Sequence, residues 1–169
     1  NILHRLLQWL PALAPELRRD SALRYLARPG LDLDPTAQTA LAGEVMGVLE
    51  SADFAHLFGP ESLAEVSITG TATGPDGTIS VISGQIDRLG ISDGRVAIVD
   101  YKSNRPPPEQ PGAVAPVYLR QMAAYRHVIQ ATWPDRVVDA FLLWTDAPRL
   151  MALPAEVLDP YAPAVRTPV

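Results

Sequence analysis

The feature that most constrains the fold is a stretch of alternating apolar and polar residues that two tight turns divide into three parts. The alternation runs from Ala64 to Asp100, and the turns are Pro75-Asp76-Gly77 and Asp93-Gly94. Alternation with a period of two is typical of strands that bury one face, and Asp-Gly is a strong hairpin signal. We therefore predict an antiparallel three-strand meander. Its strands are predicted over Ala64–Thr73, Thr78–Leu89 and Arg95–Tyr101.

The residues before this meander carry the apolar spacing and the end signals of helices. Apolar residues recur at helical spacing from Ile2 to Leu10. Pro15 stands at the start of a second helix, where the missing N–H of proline is harmless, and Pro29-Gly30 closes that helix. Asp34 before Pro35 is an N-cap signal, and Ser51 is another. The helices of this segment, residues 1–60, are predicted over residues 2–10, 15–28, 35–50 and 51–59.

The residues after the meander predict a return to helix and then to strand. A stiff loop over Pro106-Pro107-Pro108 leads to a helical pattern from about Val117 to Ala131. The apolar run Val137–Thr145 predicts a buried strand, and a short strand or turn follows near Leu150–Leu153. This order predicts an α/β or α+β fold, with a mixed β-sheet and flanking helices. The length of 169 residues suits a single domain, whose core we place in residues 61–169.

The composition excludes several classes of site and location. Cysteine is absent, which excludes disulfides, thiolate zinc sites and cysteine-held iron–sulfur clusters. The sequence has no run of about 18 or more apolar residues, so we expect no membrane span and place the chain in the cytoplasm. Its start lacks a methionine and the layout of a signal peptide. We therefore expect a C-terminal fragment of a larger protein.

Two aspartates and a lysine stand at the ends of two adjacent predicted strands. Asp87 follows an apolar residue of the second strand, and Asp100 and Lys102 follow the apolar run Ala97-Ile98-Val99 of the third. The intervening Asp93-Gly94 turn places Asp87 and Asp100 opposite each other across the sheet. Asp100 and Lys102 face the same side, because successive side chains alternate along a strand.

Two carboxylates and a lysine in this arrangement suit the hydrolysis of phosphodiester bonds. Carboxylate oxygens hold hard divalent cations, and such a cation polarises a phosphate and lowers the pKa of a bound water. A lysine beside them positions the nucleophile and stabilises the developing negative charge. The alternative is a solvated surface pair, which is the usual state of an Asp-x-Lys at a strand end. Charge at the end of a buried strand is costly unless it is paired or metal-bound, which favours a site.

Three motifs together resemble a known family. They are Gly84-x-Ile86-Asp87-Arg88, then Val99-Asp100-Tyr101-Lys102-Ser103-Asn104, then Tyr118-x-x-Gln121-x-x-x-Tyr125. The set resembles the RecB-type nuclease family of the PD-(D/E)xK superfamily, over most of the chain. Its greatest likeness is to the C-terminal nuclease domain of AddA-type helicase–nuclease subunits. The Asp-Tyr-Lys-Ser motif with Gln-x-x-x-Tyr at this distance is the specific part, since either half alone is a weak signal.

The resemblance implies a restriction-endonuclease-like core and a role for each motif residue. Asp87 and Asp100 match the metal-binding acids of the family, and Lys102 matches its catalytic lysine. The carbonyl of Tyr101, which lies between them, is implied as a further metal ligand. The superfamily name suggests a proline before the first acid, but an isoleucine precedes Asp87 here, a variation that is usual in this branch.

The Gln-x-x-x-Tyr motif lies on the helix that follows the core strands. Gln121 and Tyr125 are four residues apart and therefore share one helical face. The resemblance implies that they contact either the phosphate backbone of DNA or the catalytic site itself. The alternative is a helix that packs on the sheet with Tyr125 in its core.

The resemblance also gives roles to residues outside these motifs. Family members begin this domain with a helix whose histidine completes the metal shell, and His4 matches it. A lone histidine at the border of an apolar face is otherwise a boundary residue of the core. His56 and His127 have no such match, and we interpret both as ordinary helix residues. Family members often place an acid before the core, but the surroundings of Glu65 are not distinctive, and its role stays open.

The resemblance implies a divalent-metal-dependent DNA exonuclease or endonuclease of double-strand break repair and recombination, using Mg²⁺ or Mn²⁺. The implied partners are DNA, single-stranded at the nuclease site, a helicase motor in a missing N-terminal part, and a second, AddB-like subunit. AddB-type subunits hold an iron–sulfur cluster with four cysteines, which this chain lacks.

Two other functions stay open. One is a catalytically silent domain with a structural or protein-contact role, although Asp87, Asp100 and Lys102 are all present. The other is a stand-alone restriction or repair nuclease. The formal net charge of −5 disfavours that second reading, because free-standing DNA-binding proteins are more often basic. A nuclease domain tolerates such a charge better, since bound metal offsets its carboxylates.

Overall fold

The N-terminal helical segment contains three α-helices. In the computed structural model, which describes residues 2–104, 106–145 and 149–163, Asp34 Oδ1 accepts a hydrogen bond from the N–H of Ala37 at 2.8 Å. The predicted N-cap is therefore confirmed. The predicted fourth helix is wrong: only a 3₁₀ turn, Ala55–Phe58, forms there without a side-chain cap, and Ser51 accepts through its backbone carbonyl. The α-helices are α1 (Ile2–Trp9), α2 (Pro15–Leu26) and α3 (Pro35–Leu49).

The alternating segment forms the antiparallel part of a mixed sheet. Its three strands follow one another through the two predicted turns. Gly94, in the second turn, has a φ of 70°, a left-handed value that glycine adopts without strain. The predicted meander is confirmed, although its second strand continues past Leu89. The strands are β1 (Ser62–Thr73), β2 (Ile79–Ser92) and β3 (Arg95–Lys102).

A crossover helix turns this meander into a mixed sheet. Helix α4 (Pro116–Thr132) carries the chain to β4 (Val137–Trp144), which lies parallel to β3. Strand β5 (Arg149–Ala152) returns antiparallel to β4, and a short helix α5 (Ala155–Leu158) follows. Over the described part of the chain the sheet has five strands in the order β1-β2-β3-β4-β5. The predicted mixed sheet with flanking helices is thereby confirmed.

The sheet lies between two layers of helix. Helix α4 covers one face, where it encloses a core that includes Ile98, Met122 and Leu142. The helices α1 to α3 cover the other face, with a second core that includes Leu6 and Val99. Neighbouring residues of β3 thus belong to opposite cores, as the period of two predicts.

The β1–β2 pair extends well beyond the rest of the sheet. Strand β2 pairs with β3 only over Arg88–Ser92, but it pairs with β1 as far as Ile79. Asp87 therefore lies within β2, at the point where β3 leaves it. The prediction that Asp87 ends its strand is wrong, because β2 continues to Ser92, paired with β3 over Arg88–Ser92 and with β1 as far as Gly90.

The alternation along β2 breaks at Asp87. Ile86 and Leu89 both pack into the core beneath α4, although strict alternation places residues three apart on opposite faces. On the neighbouring strand Glu65 has a φ of 54°, a left-handed conformation that costs a non-glycine residue ~1 kcal/mol or more. This local distortion turns both Asp87 and Arg88 towards α1, where they contact His4 and the carbonyl of Leu7.

None of the helices within the described residues is both long and apolar enough to cross a membrane.

The substitution Gly84→Ala tests the close approach of α4 to the β1–β2 pair. A Cβ at this position would lie 2.6 Å from Cε1 and 2.7 Å from the hydroxyl oxygen of Tyr125, so the ring must shift. We expect the free energy of unfolding to fall by ~1–3 kcal/mol in urea denaturation. The control is Gly43→Ala on the exposed side of α3, where no atom lies within 4 Å of the new Cβ. It should raise the free energy of unfolding by ~0.5–1 kcal/mol. Equal effects of the two substitutions would contradict this packing.

Candidate active site

The end of β3 places Asp100 and Lys102 in a closed set of contacts with α4. Asp100 is only 4% exposed, and the ammonium of Lys102 lies directly against its Oδ2. Lys102 Nζ also donates to Gln121 Oε1 at 3.2 Å. Gln121 Nε2 in turn donates to Asp100 Oδ1 at 3.2 Å. The amide of Gln121 therefore holds both charged side chains.

Two tyrosines on the same face of α4 extend this set. Gln121 Nε2 also donates to the hydroxyl of Tyr125 at 3.0 Å, and Tyr125 is buried against the sheet. One turn before Gln121 on α4, Tyr118 makes a cation–π contact, with its ring centroid 4.2 Å from Lys102 Nζ. The Tyr118 hydroxyl donates to Asn104 Oδ1 at 2.9 Å. Tyr118 belongs to one of the motifs that carry the resemblance, but sequence analysis assigned it no role.

Asp87 faces the opposite layer, where it meets His4 and the backbone of β3. The N–H of Tyr101 donates to Asp87 Oδ2 at 2.7 Å, and Asp87 Oδ1 lies 3.6 Å from His4 Nδ1. The N–H and C=O of one strand residue point to the same side of the strand. The carbonyl of Tyr101 therefore also faces Asp87, and the structure brings these three predicted site residues together.

Arg88 is a site residue to which sequence analysis assigned no role. It is 3% exposed, and its guanidinium donates to the carbonyl of Leu7, to the hydroxyl of Tyr101 at 3.3 Å and to Ser62 Oγ at 3.1 Å. The Tyr101 ring contacts His4 edge-to-face, with centroids 5.3 Å apart. Arg88 thereby ties α1 to the sheet and fixes the helix that carries His4. An arginine among apolar strand residues is the signal that could have found it, because buried arginines are paired.

Burial dominates the electrostatics of the site. Burial raises the pKa of Asp100 above its ordinary value, and Asp87 nearby raises this pKa further, whereas Lys102 and His4 oppose the rise. Asp100 Oδ2 has no well-oriented hydrogen bond, although Lys102 lies against it. Burial also raises the pKa of Tyr101 to about 12, so its phenol stays neutral near pH 7. A bound cation would relieve the cost of the buried carboxylate.

A surface cavity of about 570 Å³ opens beside Asp87. Asp87, Asp100, His4 and the carbonyl of Tyr101 are oxygen and nitrogen donors of the kinds that divalent cations bind in proteins. Within the described ranges, however, no three His, Cys, Asp or Glu side chains are grouped so that they could hold a metal ion, and Lys102 and Gln121 engage Asp100. We name the surface cavity beside Asp87 the Asp87 cavity. Its lining residues are His4, Arg5, Gln8, Glu65, Gln85 and Asp87.

Of the other residues that sequence analysis weighed without assigning a role in the site, one lines this cavity and two lie elsewhere. Glu65 lines the Asp87 cavity, and its backbone carbonyl accepts a long hydrogen bond of 3.5 Å from Gln85. His127 contacts the carbonyl of Thr71 at 3.1 Å, and His56 lies in the 3₁₀ turn. Neither of these two histidines joins the site.

Known proteins are similar to this chain in sequence and in structure. The sequence model of a family described as the PD-(D/E)XK nuclease superfamily matches residues 1–162. A solved structure titled "Crystal structure of SSO0001" is similar over 93% of this chain and 70% of that chain, with 16% identity and a TM-score of 0.37. No curated protein matches the sequence. The family match covers the helical segment, the sheet and every residue of the site, so the chain belongs to the PD-(D/E)XK nuclease superfamily.

Proposed function

We propose that this chain is a RecB-type nuclease domain that hydrolyses phosphodiester bonds of DNA in double-strand break repair and recombination, and that it is related most closely to AddA-type subunits. The observation that carries the proposal is that Asp87, Asp100 and Lys102 all lie where β3 leaves β2, with Asp87 close enough to Asp100 to raise the pKa of that carboxyl. The match to a nuclease superfamily supports the reaction class. The specific Asp-Tyr-Lys-Ser and Gln-x-x-x-Tyr motifs support the narrower assignment.

Superfamily members generally use divalent metals, and we propose Mg²⁺ or Mn²⁺ here. The carboxylates of Asp87 and Asp100, the imidazole of His4 and the carbonyl of Tyr101 would hold it. When bound, the ion would polarise the scissile phosphate and lower the pKa of the attacking water. The contact between His4 Nδ1 and Asp87 Oδ1, at 3.6 Å, supports a shared ligand role for these two side chains.

Lys102 is the proposed catalytic cation. It is the single lysine of the sequence, whereas the other basic side chains are arginines or histidines. An ammonium is a compact point charge, unlike the wide fork of a guanidinium, so it fits between a carboxylate and an amide. Asp100 and Gln121 fix its Nζ, which would hold the attacking water and stabilise the charge that develops on the phosphate. Tyr125 holds Gln121 in place and acts as a positioning residue.

The proposed setting is one nuclease domain within a cytoplasmic helicase–nuclease. Residues 1–60 form its helical segment and residues 61–169 its core. The structure describes all of these but residues 1, 105, 146–148 and 164–169. A motor N-terminal to the domain would feed it single-stranded DNA, and an AddB-like subunit would complete the enzyme. The net charge of −5 supports delivery of DNA by such a neighbour, since the domain alone attracts DNA weakly.

A nuclease assay of the chain with Mg²⁺ and with EDTA tests this function against its two rivals. A catalytically silent domain would leave a single-stranded oligonucleotide intact in both solutions. A stand-alone nuclease would cleave in Mg²⁺, but its gene would encode no motor domain. We expect Mg²⁺-dependent cleavage from a gene that encodes a motor.

The substitutions Lys102→Ala and Lys102→Arg test the catalytic cation. Both should abolish most cleavage, since alanine removes the charge and arginine cannot place a compact charge between Asp100 and Gln121. Calorimetric titration with Mn²⁺ should show largely intact metal binding in Lys102→Ala. Arg95→Ala is the matched control, because Arg95 pairs with Asp139 on the surface. Cleavage at the wild-type rate by Lys102→Ala would remove the proposed mechanism.

The substitution His4→Ala tests the metal shell. If His4 is a ligand, the affinity for Mn²⁺ should fall ~10-fold or more in calorimetric titration of the folded variant. His127→Ala is the control, since His127 contacts a backbone carbonyl far along the β1–β2 pair. Loss of stability in His4→Ala with unchanged Mn²⁺ affinity would instead make His4 a boundary residue of the core.

A further inference from the structure

We propose that a second surface cavity binds one unpaired nucleotide of the single-stranded DNA next to the cleavage point, an inference that rests on the proposed nuclease function. The cavity has a volume of about 420 Å³. Arg5 and Trp9 of α1 line it, together with Tyr25 at the end of α2 and Arg28 just after that helix. We name it the arginine–aromatic cavity.

This cavity adjoins the candidate active site through one shared side chain. Arg5 lines both the arginine–aromatic cavity and the Asp87 cavity. The helical repeat explains this: Arg5 follows His4 directly, and Trp9 lies four residues further on the same face of α1. A DNA strand that passes from Asp87 along α1 therefore meets Arg5 and then Trp9.

The two arginines of the cavity supply charge that suits a phosphate. Both are exposed, and neither forms an ion pair with a residue that the structure describes. The guanidinium of Arg28 lies over the ring of Tyr25, 4.9 Å from its centroid. Most other arginines with described contacts bond to carboxylates or carbonyls, as Arg95 and Arg149 do. Arg5 and Arg28 thus remain available to an anion in a chain whose net charge is −5.

The aromatic rings of the cavity supply a surface for a base. The ring centroids of Trp9 and Tyr25 lie 6.1 Å apart at an interplanar angle of 59°. Both rings are half-buried against the core beneath α1 to α3, which holds them in place while part of each stays accessible. Unpaired bases stack on aromatic rings and on guanidinium planes, whereas a base in a duplex is already stacked on its neighbours. The combination of rings and free arginines therefore favours single-stranded DNA.

Binding of a fluorescent twelve-nucleotide oligothymidylate, measured by anisotropy in EDTA, tests the proposal without any cleavage. Trp9→Leu should weaken binding about 5-fold or more, since stacking of a base on an aromatic ring contributes ~1–3 kcal/mol. Arg28→Ala should also weaken binding, and it should reduce the slope of log affinity against log salt by about 1. Trp9→Phe keeps a ring and should retain most of the affinity, which separates loss of stacking from misfolding.

The matched control is Arg24→Ala. Arg24 is exposed on α2 and donates to Ser21, but it does not line the cavity, so its loss should leave affinity nearly unchanged. The proposal is overturned if Trp9→Leu and Arg28→Ala bind like the wild type, or if a fully paired duplex binds as tightly as the single strand. A wild-type chain that binds through Trp9 and Arg28 but never cleaves in Mg²⁺ would contradict the nuclease function and uphold this cavity.

Discussion

Burial of the Asp100 carboxylate is the constraint on which the rest of the site depends. A charged group this deeply enclosed needs partners, because removal of one partner from a buried pair leaves an uncompensated charge. Lys102 supplies one partner from the same strand, and Gln121 supplies the other from α4. Helix α4 must therefore pack at one register on the sheet. Gly84 permits that register, since any larger residue there would displace Tyr125.

The second half of the site depends on a contact between layers. Asp87 lies on the side of the sheet that faces α1, and the buried guanidinium of Arg88 fastens α1 to the strands by its bond to the carbonyl of Leu7. His4 therefore meets Asp87 at a fixed place, although the two are far apart in sequence. The helical segment is thus a part of the proposed site as well as a cover for the core. It also carries Arg5 and Trp9 into a surface next to the site.

Much of this arrangement could be predicted from local periodicity, and the remainder depends on tertiary contacts. The period of two placed Asp100 and Lys102 on one face, and the helical period placed Gln121 beside Tyr125. The break of alternation at Asp87 was not predictable, because it depends on the left-handed backbone of Glu65 in the neighbouring strand. The roles of Arg88 and of the arginine–aromatic cavity likewise arise only when α1 packs on the sheet and on α2. The role of His4 was predicted only through a family resemblance, since no local pattern distinguishes it from a boundary residue.

Thermal melts of the wild type and of Asp100→Asn, in EDTA and in Mg²⁺, test the central claim most directly. The folded pKa of Asp100 is raised, so its ionised form destabilises the metal-free fold increasingly as the pH rises above the ordinary value of 3.8. The burial cost of this carboxylate outweighs its attraction to Lys102, whose ammonium keeps its hydrogen bond to Gln121 when the charge of Asp100 is removed. Near pH 7, Asp100→Asn should therefore melt higher than the wild type in EDTA. The wild type should gain about 2.7 kcal/mol of stability at a Mg²⁺ concentration ~100 times the dissociation constant, and Asp100→Asn should lose most of that gain. If Asp100→Asn melts no higher in EDTA and still gains fully from Mg²⁺, these carboxylates do not form the metal site.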